Sequence, residues 1–137
     1  DTQRARLRAF VARVSDADLA RPLPAGWTVA AVLGHLAFWD QRALLLVDAW
    51  EQKGIAPPPH HAADTDWIND AGKPFLLALP PRQLADLSVS IAEAVDRRVA
   101  SLSDELVARN AAADQPVNLR RAEHRREHLD EIEAALR

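Results

Sequence analysis

Between Thr28 and Gly54 the apolar residues Val32, Leu33, Leu36, Ala43, Leu44, Val47 and Trp50 recur at intervals of three and four. That is the period of one face of an α-helix. The run predicts a helix of about six or seven turns, and a stripe that long has to be covered by other helices. Thr28 suits the N-cap, with Trp27 before it placed to pack on Val32. Asp40 interrupts the apolar arc, and His35 lies at its side, in line with Trp39 and Leu46.

Three further segments carry the same period. Leu7, Phe10, Val11 and Val14 predict a helix over residues 2–14, followed by a loop or short capped turn at 15–18. Pro80 and Pro81 suit the first turn of a helix reaching Ser101, with Leu84, Leu87, Ile91, Ala94, Val95 and Leu102 as its buried face. The last helix starts near Asn118 and runs to the end, with Leu119, Ala122, Leu129, Ile132 and Leu136 as its stripe. Glycine and β-branched residues are sparse and Ala and Leu abundant, which agrees with an all-α fold. The expected architecture is a single domain over residues 1–137, a four-helix bundle with a long connection between helices two and three. That connection holds Pro57 to Pro59, His60, His61 and Gly72-Lys73-Pro74, with at most a helical turn around Trp67 and Asn69.

Composition removes several function classes. A net charge of −3 supplies no basic footprint for nucleic acid. No apolar run is long enough to cross a bilayer and no leader pattern is visible, so no membrane partner and a cytoplasmic location are expected. With no Cys, neither disulfides nor protein thiolates are available. The chain has no Met and so no start residue of its own, and some further N-terminal residues are expected.

His124 and His128 stand four apart on the predicted last helix, so both imidazoles lie on one face about one turn apart. Each could serve as an ordinary surface or hydrogen-bonded core residue. Together with His35, however, they place three histidines at the margins of two apolar stripes. Metal sites in helix bundles are built that way, from inward side chains on facing helices. Asp40 must be paired if buried: Arg121 or Arg125 would make it a structural ion pair, or it could orient a ligand histidine. The two arginines could themselves receive a carboxylate or other anion from a substrate.

The segment Gly26 to Asp40, GWTVAAVLGHLAFWD, resembles the helix-two signature of the DinB-like (DinB/YfiT) superfamily. His124 to Ile132, HRREHLDEI, is similar to that superfamily's final-helix motif, and Asp66 to Asp70 and Leu79-Pro80-Pro81 occur in the same order between them. The resemblance implies a four-helix bundle with a divalent metal on His35, His124 and His128, and frequent homodimers. It also implies thiol-dependent S-transferase or isomerase chemistry with a low-molecular-weight thiol.

Three neutral imidazoles leave a metal its charge and open positions, and zinc or nickel suits them. Two functions are therefore expected in competition. One is a metal-dependent thiol S-transferase or hydrolase acting on a small-molecule substrate, with Asp40, Arg121 and Arg125 as supporting or substrate-binding residues. The other is a non-catalytic, stress-related or small-molecule-binding bundle that keeps a structural or vestigial metal site.

Overall fold

The computed structural model describes residues 2–137 and contains seven α-helices among them. These are α1 (Thr2–Arg13), α2 (Asp16–Leu19), α3 (Val29–Lys53), α4 (Ala62–Ala78), α5 (Pro81–Ala100), α6 (Asp104–Ala112) and α7 (Arg121–Ala135). No described residue belongs to a strand, although Pro22 and Thr28 form an isolated bridge before α3. No described helix is long and apolar enough to cross a membrane.

Helices α1, α3, α5 and α7 are the four expected ones, and they form the bundle. Around it, α3 packs on α5 and α7, and α1 closes the ring against the same two helices. The long α3 begins where Thr28 Oγ1 accepts the Ala31 N–H at 3.1 Å. It ends where Gly54, at φ 67°, lets the chain turn back so that its N–H and that of Ile55 reach the carbonyls of Trp50 and Ala49.

The connection between the second and third bundle helices is the main correction. Residues 55–61 are irregular, but α4 then runs for 17 residues where a single helical turn was expected. Gly72 and Pro74 read as breakers, yet both lie inside α4. A proline deletes one backbone hydrogen bond without dismantling a helix that packs along a neighbour, and α4 lies against α3. None of its residues is fully buried, so its apolar pattern is weak.

A second short helix, α6, lies between α5 and α7; Ser103 Oγ caps it by accepting the Leu106 N–H at 3.2 Å. Helix α7 starts three residues later than expected because Asn118 Oδ1 accepts the Arg120 N–H at 2.8 Å and holds a turn there.

On α5 the buried face is turned from the predicted one. Leu84, Ala85, Ser88, Ala92 and Val95 are buried, whereas Leu87 is exposed and Ile91 half-buried. Small residues form the contact, which allows α3 to approach closely. Opposite them Gly34 leaves no room for a side chain: an added Cβ would come to 2.8 Å from Leu84 Cδ2 and 2.9 Å from Leu76 Cδ2.

The interior divides into two apolar cores. Leu7, Phe10, Leu33, Leu36, Leu129 and Ile132 belong to the first. Val47, Trp50, Val95, Leu106 and Val117 belong to the second. On α3 the charged residue buried between Leu36 and Ala43 is Asp40, only 1% exposed. A charged layer thus separates the cores, and the candidate site lies at one end of it.

Candidate metal centre

Asp40 is held by two arginines of α7, Arg121 and Arg125. Arg121 Nε donates to Asp40 Oδ1 at 2.6 Å, and Arg125 Nε and Nη2 donate to Oδ2 at 3.2 and 3.0 Å. Arg125 also forms a two-pronged pair with Asp96 of α5, Nη1 to Oδ2 and Nη2 to Oδ1, each at 2.8 Å. Arg4 of α1 reaches the same carboxylate at 3.3 Å. All four bundle helices therefore meet in this layer. Arg125 is fully buried and does not line the cavity described below. Arg121 has one face on Asp40 and the other on that cavity, where its Nη2 donates to His124 Nδ1 at 3.0 Å.

Beyond Arg121 the three histidines converge. His35 Nε2 and His124 Nε2 are 3.2 Å apart, close to the about 3.3 Å between two donors on a tetrahedral ion with bonds of about 2.0–2.1 Å. One ring nitrogen from each of His35, His124 and His128 lies within 4.8 Å of the other two. The ring centroids are 4.9–5.2 Å apart. His128 Nδ1 is 3.2 Å from Glu131 Oε2, so its Nδ1–H can donate to the carboxylate and leave Nε2 to a ligand. By donor type, number and spacing, the residues fit a divalent transition metal: His35, His124 and His128 could hold one.

Their protonation agrees with that fit. Burial, then the charges of His128 and Arg121, pushes His35 down to about 4. Burial, then Arg121 and the neighbouring histidines, pushes His124 down to about 2. Both rings are neutral at pH 7, the form a metal requires. In the unfolded chain each would take a proton near 6.5, which the folded protein refuses. The unfolded state therefore binds more protons below that pH, and stability is lost as pH falls. The slope is up to about 1.4 kcal/mol per unit for each ring. Thermal melts of metal-free protein are expected to hold steady above about pH 7 and decline from about 6.5 towards 4. His35→Gln should make the decline shallower, and an equal decline in that variant would contradict the assignment.

A cavity of about 500 Å³ opens beside the triad. Trp27 and Trp39 stand edge-on to His35, with ring centroids 5.8 and 6.3 Å away. Trp39 Nε1 donates to Asn69 Oδ1 at 2.9 Å, tying α4 to α3 across the cavity wall. His60, from the irregular segment before α4, is half-buried there, bonded to Thr65 Oγ1 at 2.7 Å; His61 is exposed and Trp67 is 60% exposed. The opposite wall is brought in by the turn after α6. Buried Asn110 exchanges two hydrogen bonds with Val117, at 3.0 and 3.1 Å, which brings Pro116 and Asn118 to the cavity.

Arg42 is one of the lining residues that the sequence reading missed, with Thr65, Gln115 and Glu131. It follows His35 by seven and Trp39 by three, so it shares their helical stripe, and that spacing was the available signal. Its guanidinium lies 5.4 Å from the centroid of the Trp39 ring and 3.5 Å from His60 Nδ1.

The family model described as the mycothiol maleylpyruvate isomerase N-terminal domain matches residues 1–135. No curated protein and no solved structure shows a significant match. The chain belongs to this family, which is one of the DinB-like families of helical bundles, in agreement with the resemblance of its motifs.

Proposed function

We propose, for this member of the mycothiol maleylpyruvate isomerase N-terminal domain family, that His35, His124 and His128 hold one divalent transition metal. The domain would act there on a small molecule received in the adjoining cavity, by thiol transfer or by hydrolysis. The convergence of three ring nitrogens within 4.8 Å carries this reading. The family's description favours the thiol-dependent form, with a low-molecular-weight thiol as co-substrate. Zinc and nickel both suit imidazole.

Held by His35, His124 and His128 as neutral imidazoles, such an ion would keep its full charge and would supply a stabilised thiolate or a water of lowered pKa. The chain's own residues do the rest. Glu131 holds the Nδ1 proton of His128, Asp40 fixes Arg121 beside His124, and the Trp27 and Trp39 rings limit water around His35.

A second reading has its own observation. A guanidinium only donates, so His124 Nδ1 accepts from Arg121 and the neutral ring carries its proton on Nε2, aimed at His35 Nε2. Arg121, His124 and His35 thus form a complete hydrogen-bonded chain that suits a bundle without metal and without catalysis.

Elemental analysis of tag-free protein separates the two. Near-stoichiometric zinc or nickel in the wild type, with little in His124→Ala, is expected. Equal and negligible metal in both after incubation with either ion would leave the hydrogen-bonded chain as the better account.

A further inference from the structure

We infer that Arg121 holds the three histidines in their unloaded arrangement, so that its second arm has to leave His124 before all three rings can face one ion. The inference rests on the metal reading of His35, His124 and His128, and it gives Arg121 a positioning role that opposes loading.

A histidine that ligates a metal through one ring nitrogen ordinarily donates the proton on the other to a carboxylate, a carbonyl or a water. His128 follows that rule, with Nδ1 at 3.2 Å from Glu131 Oε2. His124 reverses it. Its Nδ1 lies 3.0 Å from Arg121 Nη2, and a guanidinium carries only donors. His124 Nδ1 therefore accepts, the proton of the neutral ring sits on Nε2, and that N–H points at His35 Nε2, 3.2 Å away. The nitrogen that should ligate is already protonated and hydrogen-bonded. For Nε2 to ligate, the ring must carry its proton on Nδ1, and two donors then meet where one hydrogen bond stood. The ring stays neutral in both arrangements; only the position of its proton differs.

The opposing arm is not free to move aside. Arg121 is 5% exposed, and its Nε is fixed on Asp40 Oδ1 at 2.6 Å. Asp40 is itself held by fully buried Arg125. The charged layer between the two cores thus sets where Nη2 lies. A guanidinium so close to a divalent ion also repels it. The hydrogen-bonded chain and the loaded centre are then two states of the same residues, and Arg121 sets the balance between them.

The test compares wild type with Arg121→Gln and Arg121→Lys. Asp40 keeps Arg125 in both, and thermal melts of the metal-free proteins check that they fold. Gln is uncharged, and its amide oxygen can accept a proton from a ring nitrogen. Lys keeps the charge, but one ammonium engaged on Asp40 leaves no second arm for His124. Zinc affinity is read by competition with a chromophoric chelator. Nitrogen NMR of the histidine rings in the metal-free proteins reads which nitrogen carries the proton, a signature that a merely structural arginine would not move.

Wild-type His124 is expected to be protonated on Nε2, and Arg121→Gln to lose that preference. Zinc should bind about tenfold or more tightly in Arg121→Gln than in wild type, with Arg121→Lys between them. If Arg121→Gln does not fold, tighter binding by Arg121→Lys carries the same conclusion. Zinc affinity in Arg121→Gln within twofold of wild type, or weaker, would overturn the inference. So would a wild-type His124 protonated on Nδ1, or an Arg121→Lys variant that binds no more tightly than wild type, because charge alone would then explain any gain in Arg121→Gln. If wild type takes up zinc and neither variant binds it better, the inference falls and the metal reading stands. If wild type takes up none while Arg121→Gln does, and loses it on adding His124→Ala, the inference stands and the wild type rests as the hydrogen-bonded chain. If no protein takes up zinc, both fall.

Discussion

Asp40→Ala is expected to lower the free energy of unfolding by about 3–5 kcal/mol, a large share of what a domain of this size possesses. The carboxylate is 1% exposed and accepts from two guanidiniums. Arg125 would keep Asp96, but Arg121 has no other carboxylate partner among the described residues. Its charge would stay inside the bundle without compensation. Urea denaturation of wild type beside Asp40→Ala measures the loss, and Asp40→Asn should recover part of it because the amide oxygen still accepts. A loss below about 1 kcal/mol would mean that the layer relaxes around the missing carboxylate and that the pair is not structural. The same variant should disturb His124, because Asp40 fixes Arg121 and Arg121 touches that ring.

Zinc at about a thousand times its dissociation constant should stabilise the wild type by about 4 kcal/mol. For a chain of this length that corresponds to roughly 14 °C in melting temperature. The stabilisation requires that the three rings be assembled only in the folded state. His35 reaches the site from α3, whereas His124 and His128 share α7, so unfolding separates the third donor from the other two. His35→Ala should leave a two-histidine site with little shift, and differential scanning calorimetry with and without zinc would show it. An equal shift in wild type and His35→Ala would place the stabilising ion elsewhere on the protein.

What could be read from residues alone was whatever depends on local geometry. The three-and-four spacing around Val32, Leu36 and Val47 specifies one helix whatever packs on it, and Thr28 specifies where it starts. His124 and His128 share a face by helical arithmetic alone. The errors arose where neighbours decide. Leu87 looked buried because it is large and in phase, but the tight approach of α3 selects Ala85, Ser88 and Ala92 instead. Helix α4 went unread because its stabilising surface is α3, and its own sequence carries a glycine and a proline.

The division of labour between the arginines had the same origin. Arg121 and Arg125 are one turn apart on the same side of α7, and their local sequence context does not separate them. Packing of α5 brings Asp96 to Arg125 and closes it off, while the gap between α3, α4 and the turn after α6 leaves Arg121 open to the cavity. Arg42 became a cavity residue in the same way, when the chain around His60 folded over Trp39. The sequence by itself determined the four bundle helices and the facing histidine pair, because both follow from the pitch of a single helix. The tertiary structure alone decided the distance from His35 to that pair, the cavity beside it and the cations facing into it, because these depend on how separate helices pack.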